Sequence, residues 1–304
     1  MLVICYTNKM LLGGLGDRIV GLIAVKLISK IVKQKFSILW NKENIKQYFT
    51  YNDFETLDIN TDNQDEIILI DNQMGLKKYL MFGNNLFPKD VTKIYLNQEI
   101  SQYLYKNDNY KTGDFLNDIL NEYKQLYVET LKPTPFITNK INTYIKNKNN
   151  IIGIQFRCGD LGMITNKGER ACYNNHFPNT INNIQNYLTK IKNICDKEYT
   201  DYNVFITSDN NLVYDNAIKI WNINRLIYND DLIQHIDRKP VNCDISKVFI
   251  DNIILSQHTV KLYISEYSNF GRIAALSSPH NEIYDITNKK INKKDLLSKH
   301  EMIF

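Results

Sequence analysis

The sequence predicts an α/β protein built from two Rossmann-like domains facing across a cleft. Three observations predict it. An apolar strand pattern at the N-terminus runs into a glycine turn and a long apolar helix pattern; the same order starts again at Ile151; a proline pair and a polar stretch separate the two. Strand, turn, helix, strand is the order that a parallel sheet with helical crossovers requires. A length of 304 residues is enough for two such domains.

Leu2–Tyr6 is apolar and β-branched, and Gly13-Gly14-Leu15-Gly16 breaks it. Asp17 opens a helix pattern running to about Lys33, apolar almost all round, as for a helix lying between a sheet and another layer. Phe36–Trp40 reads as the second strand. From 41 to 110 the chain is polar and Asn-rich, and residues 67–70 stand out as a buried strand. Residues 115–131 read as a helix that Pro133 and Pro135 end. The prolines and the polar stretch 140–150 mark the boundary, giving an N-terminal domain over 1–138 and a C-terminal domain over 139–304. In the second domain Ile151–Phe156, 203–207, 226–228 and Lys261–Ile264 read as strands, and 179–192, 247–256 and 269–276 as helices.

Composition narrows the function classes. The net charge is +4 without a five-residue basic block, which speaks against a nucleic-acid partner and fits an anionic small molecule. Five Cys are scattered with no C-x-x-C pair, so neither a zinc framework nor a disulfide scaffold is expected, and reduced thiols fit a cytoplasmic setting. The apolar stretch 19–31 is interrupted by Lys26 and Lys30 and is too short to span a bilayer, so no membrane span is expected. No His/Asp cluster has ligand spacing, so the expected metal site is none.

Ligands of open α/β sheets bind beyond the carboxyl ends of the strands. Polar clusters fall at four such ends: the glycine turn with Asp17 and Arg18, residues 157–160, Ser208-Asp209, and residues 265–268 with Arg272. Gly14 and Gly16 before a helix let backbone N–H groups approach an anion; a tight turn alone explains them equally. Ile19 occupies the place of a third glycine, and no acidic residue ends Phe36–Trp40, which disfavours a dinucleotide oxidoreductase. Arg157 either clamps a diphosphate with its planar fork or pairs with Asp160. Asp209 either accepts from a ribose or base, or caps the following helix as an Asx turn.

With those clusters in order, the chain resembles the fucosyltransferase superfamily that includes α-1,6-, nodulation-type, α-1,2- and protein O-fucosyltransferases. The resemblance rests on Gln155-Phe156-Arg157-Cys158-Gly159-Asp160, with Gln155 where the family has His; on the strand ending in Ser208-Asp209; and on Asp251 to Gln257 followed by Ser265 to Ala274. The turn Gly16-Asp17-Arg18 resembles the family's N-terminal opening. The resemblance implies a GT-B-like fold and an inverting, metal-independent glycosyltransferase. It would move fucose or a related deoxyhexose from a GDP-sugar to a glycan or protein-linked hydroxyl. Arg157 would bind the β-phosphate and stabilise the leaving diphosphate, Asp251 would contact the guanine or ribose, and Ser268 and Asn269 the phosphates. Glu169, ahead of His176-Phe177-Pro178, or Asp17 would be the base. Gly14, Gly16, Arg18, Gln155, Asp160, Asp209 and Arg272 complete the expected donor set. Gln155 leaves open a non-catalytic sugar- or nucleotide-binding protein, or a different nucleotide sugar.

Overall fold

The computed structural model describes residues 1–6, 14–31, 33–40, 45–50, 67–69, 92–96, 115–158, 183–229, 244–265 and 268–298. The chain forms two compact units: Met1–Thr134 with Val241–Cys243 and Lys294–Phe304, and Pro135–Pro240 with Asp244–Lys293. Each has its own parallel sheet, as the repeated strand and helix order requires.

In the first unit β1 (Leu2–Tyr6) leads into α1 (Leu15–Ile31) and β2 (Phe36–Trp40). Short β3 (Phe49–Thr50), β4 (Ile67–Leu69), β5 (Thr92–Tyr95), α2 (Phe115–Lys124) and β6 (Lys132–Pro133) follow. The sheet order is β2-β1-β5-β4, all parallel, while β3 and β6 pair antiparallel on their own. β1 is buried along its whole length, and α1 buries thirteen of its residues, as its all-round apolar pattern predicts. The expected helix 115–131 is α-helical only to Lys124; Leu126–Thr130 widens into a π turn. That turn sets Thr130 to accept from Lys26 Nζ at 2.7 Å. Beside it Glu122 takes ion pairs from Lys26 at 2.9 Å and from Lys30.

The second unit opens with α3 (Pro135–Ile145), where the sequence reading had set a polar boundary. Pro135 is the cause: at the first helical position its missing N–H is no loss and its φ is already helical. Ile137 and Ile141, one turn apart, supply the buried face. Next come β7 (Ile151–Phe156), α4 (Ile184–Glu198), β8 (Asn203–Ser208), α5 (Asn211–Ile220) and β9 (Leu226–Ile227). The second unit closes with α6 (Ser246–Gln257), β10 (Lys261–Ile264), α7 (Asn269–Ser277) and β11 (Ile283–Asp285), while α8 (Lys293–Ser298) falls, from Lys294 on, in the first unit. Five parallel strands lie in the order β11-β10-β7-β8-β9. Ile152, Ile154, Phe156, Val204, Ile206, Leu188 and Trp221 fill the core on one face of this sheet. The chain passes outward from β7 in both directions, so the topological switch point, where an open α/β sheet offers its crevice, lies between the carboxyl ends of β7 and β10. No helix among the described residues is long and apolar enough to cross a membrane.

Candidate functional site

The register brings three strand ends level. Gln155 lies opposite Thr207 of β8 and Ile264 of β10, and Phe156 lies opposite Ser208. Arg157 and Cys158 therefore leave β7 beside Asp209 on one side and Ser265 on the other.

Arg157 is held from both sides. Its backbone N–H donates to Ser265 Oγ at 2.8 Å, and its guanidinium pairs with Asp209 Oδ2 at 2.9 Å. The other oxygen of Asp209 accepts from the Cys158 N–H at 2.7 Å. The carboxylate is 8% exposed and the arginine side chain 28%, so the pair sits at the strand end with part of the arginine reaching solvent. Asp160, the partner considered from sequence, lies outside the described residues, as does Glu169. The helix cap expected of Asp209 belongs to its neighbour: Asn210 Oδ1 accepts from the Leu212 N–H at 2.9 Å and starts α5. Burial and the Asp209 charge push the Cys158 thiol up to about 12, which leaves it an unreactive neighbour.

Across the switch point, Ser265 and the start of α7 are tied to β7 by Gln155, which is 4% exposed. Its Oε1 accepts from the Ser265 N–H at 3.2 Å and its Nε2 donates to Ser268 Oγ at 3.1 Å. Ser268 is the N-cap of α7 and accepts from the Gly271 N–H at 3.4 Å. Asn269 opens the helix, and its Oδ1 accepts from Arg272 Nη1 at 3.1 Å. Arg157, Ser268 and Asn269 thus converge on one end of the sheet, where a guanidinium and a helix N-terminus both favour an anion.

Asp251 is bonded within the unit. It is 3% exposed, and its oxygens accept from Thr207 Oγ1 at 2.8 Å and Asn229 Nδ2 at 3.4 Å. Lys247 Nζ, one helical turn back, pairs with it at 3.3 Å and also donates to the Asn229 carbonyl at 2.6 Å. Burial raises its pKa, while Lys247, Thr207 and Asn229 work in the opposite direction. The expected contact with a guanine or ribose meets a carboxylate already engaged within the unit, binding α6 to the ends of β8 and β9.

In the first unit the glycine turn closes on itself. The Gly14 N–H donates to Asp17 Oδ2 at 2.8 Å, so Asp17 reaches back from the first turn of α1 as in a capping box. Gly16 is buried in the same turn. Arg18 is 0% exposed: its guanidinium carbon lies 5.5 Å from the Trp40 ring centre and 6.0 Å from that of Tyr6, and Tyr6 donates its hydroxyl to the Arg18 carbonyl.

Three residues of these networks escaped the strand-end clusters, Thr207, Lys247 and Asn229, and Ser265, within one of them, is the seat of Arg157. Two carried a signal. Lys247 stands four residues before Asp251 on a predicted helix, and Asn229 follows a predicted strand. Among the described residues no three His, Cys, Asp or Glu gather as a metal-binding group.

No protein-family model and no curated protein sequence matches the chain. Solved structures do. The structure of an Arabidopsis thaliana FUT1 variant in complex with GDP matches with a TM-score of 0.64 at 15% identity, over 96% of this chain and 71% of that one. The NodZ α-1,6-fucosyltransferase co-crystallised with GDP matches with a TM-score of 0.53 at 13% identity, over 91% and 92%. The fucosyltransferase NodZ from Bradyrhizobium gives 0.52 at 12% identity, over 91% and 93%. The chain has a fucosyltransferase-like α/β fold.

Proposed function

We propose that the chain is an inverting glycosyltransferase that moves fucose or a related deoxyhexose from a GDP-sugar to a hydroxyl of a glycan or protein-linked acceptor. The observation that carries this reading is Arg157: a partly exposed cation at the switch point, fixed through Asp209 and Ser265, at the same end of the sheet as the N-terminus of α7. Two solved structures of the same fold are described as complexes with GDP, and a diphosphate is the anion this end suits.

In this mechanism the acceptor oxygen attacks the anomeric carbon from the face opposite the diphosphate. The bond between that carbon and the β-phosphate oxygen breaks, and GDP departs with the electron pair. Arg157 faces the charge that grows on the diphosphate, and the Ser268 hydroxyl and the first turn of α7 share it, an arrangement of oxyanion-hole type. Leaving-group charge is then met by protein groups, without a metal. The acceptor proton passes to a carboxylate, with Glu169 and Asp17 as the two candidates; Asp17 has a cap to release first. Asp209 and Asp251 serve this site as supports.

A thermal-shift screen of nucleotides tests the donor class. GDP and GDP-fucose at a hundred times their Kd should each stabilise the protein by about 2.7 kcal/mol, with UDP and NAD giving no shift. Stabilisation by UDP-sugars alone would move the chain to a different donor.

A further inference from the structure

Ser268 is the residue at this end with chemistry left over. A hydroxyl has two lone pairs and one proton. The Gly271 N–H and Gln155 Nε2 donate to Ser268 Oγ, at 3.4 and 3.1 Å, so both acceptor places are filled from within the unit. What is left is the O–H proton, and among the described residues no hydrogen bond takes it. The side chain is 4% exposed, so bulk water is a poor acceptor for it. Ser265 differs: its Oγ accepts from the Arg157 N–H and donates to the Gln155 carbonyl at 3.4 Å, and is used on both sides.

Gln155 makes that difference. The Ser265 N–H, which donates to the Gln155 main-chain carbonyl at 3.0 Å and is shared with Oε1 at 3.2 Å, can only donate, so Oε1 rather than Nε2 faces it and Nε2 faces Ser268. A carboxylate of the same shape would reverse the second bond and draw the Ser268 proton inward. The neighbouring helix is shaped for this amide. A Cβ at Gly271 would lie 2.4 Å from Gln155 Oε1 and 3.1 Å from Ile264 Cβ, so a larger residue there would displace the Gln155 amide from this pose against the first turn of α7.

We propose that Gln155 is a positioning residue for anion binding: by donating to Ser268 it commits that hydroxyl to donate to a phosphate oxygen of the bound nucleotide. Gln155 acts through Ser268 and does not itself touch the ligand. The proposal rests on the nucleotide-diphosphate reading above.

The test is calorimetric titration of GDP, guanosine and inorganic pyrophosphate into the wild-type chain, Gln155→Met, Ser268→Ala and the double variant. Each single change should weaken GDP and pyrophosphate about tenfold, the worth of one hydrogen bond to a charged acceptor, and leave guanosine unaffected. The double variant should bind no more weakly than Ser268→Ala, because both changes remove one interaction. Wild-type affinity in Gln155→Met, an equal loss for guanosine, or losses that add in the double variant would each overturn the proposal. If Gln155→Met fails to fold, Ser268→Ala decides, and undiminished pyrophosphate binding there overturns it. A wild-type chain that binds pyrophosphate but not GDP counts against the nucleotide reading alone.

Discussion

Arg18, in the first turn of α1, and Arg157, the residue after β7, each follow the first strand of a parallel sheet, and the fold uses them in opposite ways. Arg18 is 0% exposed and enclosed by Tyr6 and Trp40; Arg157 keeps 28% of its side chain open. The neighbouring strand decides. In the first unit the last pair of the β1–β2 ladder is Tyr6 with Trp40, two rings that cover a guanidinium and hold it by cation–π attraction. In the second the last pair of the β7–β8 ladder is Phe156 with Ser208, and Asp209 follows, a carboxylate that pairs with the cation without enclosing it. An arginine after a strand is therefore no sign of a binding site until its cross-strand neighbour is known.

Paired alanine variants test this contrast, and the largest effect belongs to Arg157. Arg157→Ala should lower transfer 10²–10³-fold, about 2.7–4 kcal/mol of lost charge stabilisation, with the melting temperature close to wild type. Steady-state kinetics beside a thermal melt checks both halves, and wild-type turnover would end the assignment. Arg18→Ala should do the reverse: about 3 kcal/mol of stability lost by urea titration, with GDP affinity kept in the folded fraction. A loss of GDP affinity under conditions where Arg18→Ala is fully folded would break the comparison and return Arg18 to the donor site.

The parts legible in the sequence are those where one physical signal dominates. β1, β2, β7 and β10 are short apolar runs closed by turn residues, and the structure has them at those bounds. α1 and α6 follow from apolar runs too long for strands. α3 was missed because Pro135 was read as a stop when its place made it a start. α5 is expected only as the helix after Asp209, without bounds, because Asn210, its cap, stands next to Asp209 and either could fill that role. Strand-end placement pointed to Arg157, Asp209 and Ser268, and the sheet brings them to one end. It could not foresee that Gln155 would bind to Ser265 and Ser268 or that Asp251 would be held by Thr207, Asn229 and Lys247. Those bonds join residues up to 113 positions apart, and only the sheet order brings them together.

Two further cations of the first unit extend the contrast. Lys26 and Lys30 both turn to Glu122, which is 6% exposed, so these charges serve the joint between α1 and α2. Burial by itself would raise the Glu122 pKa; hydrogen bonds and charge from Lys30 and Lys26 outweigh it and bring it below the usual 4.5. A carboxylate lowered on folding adds stability above its unfolded pKa and loses it as pH falls through the folded value. Glu122→Gln should therefore destabilise the chain at pH 7 and show less further loss than wild type as the pH is taken below about 4. Urea midpoints across a pH series measure this, the smallest of the three effects. A wild-type minus variant difference that stays constant from pH 7 to pH 3 would mean that the two lysines do not hold the carboxylate ionised, and that cations in the first unit are less committed to its own core than Arg18 suggests.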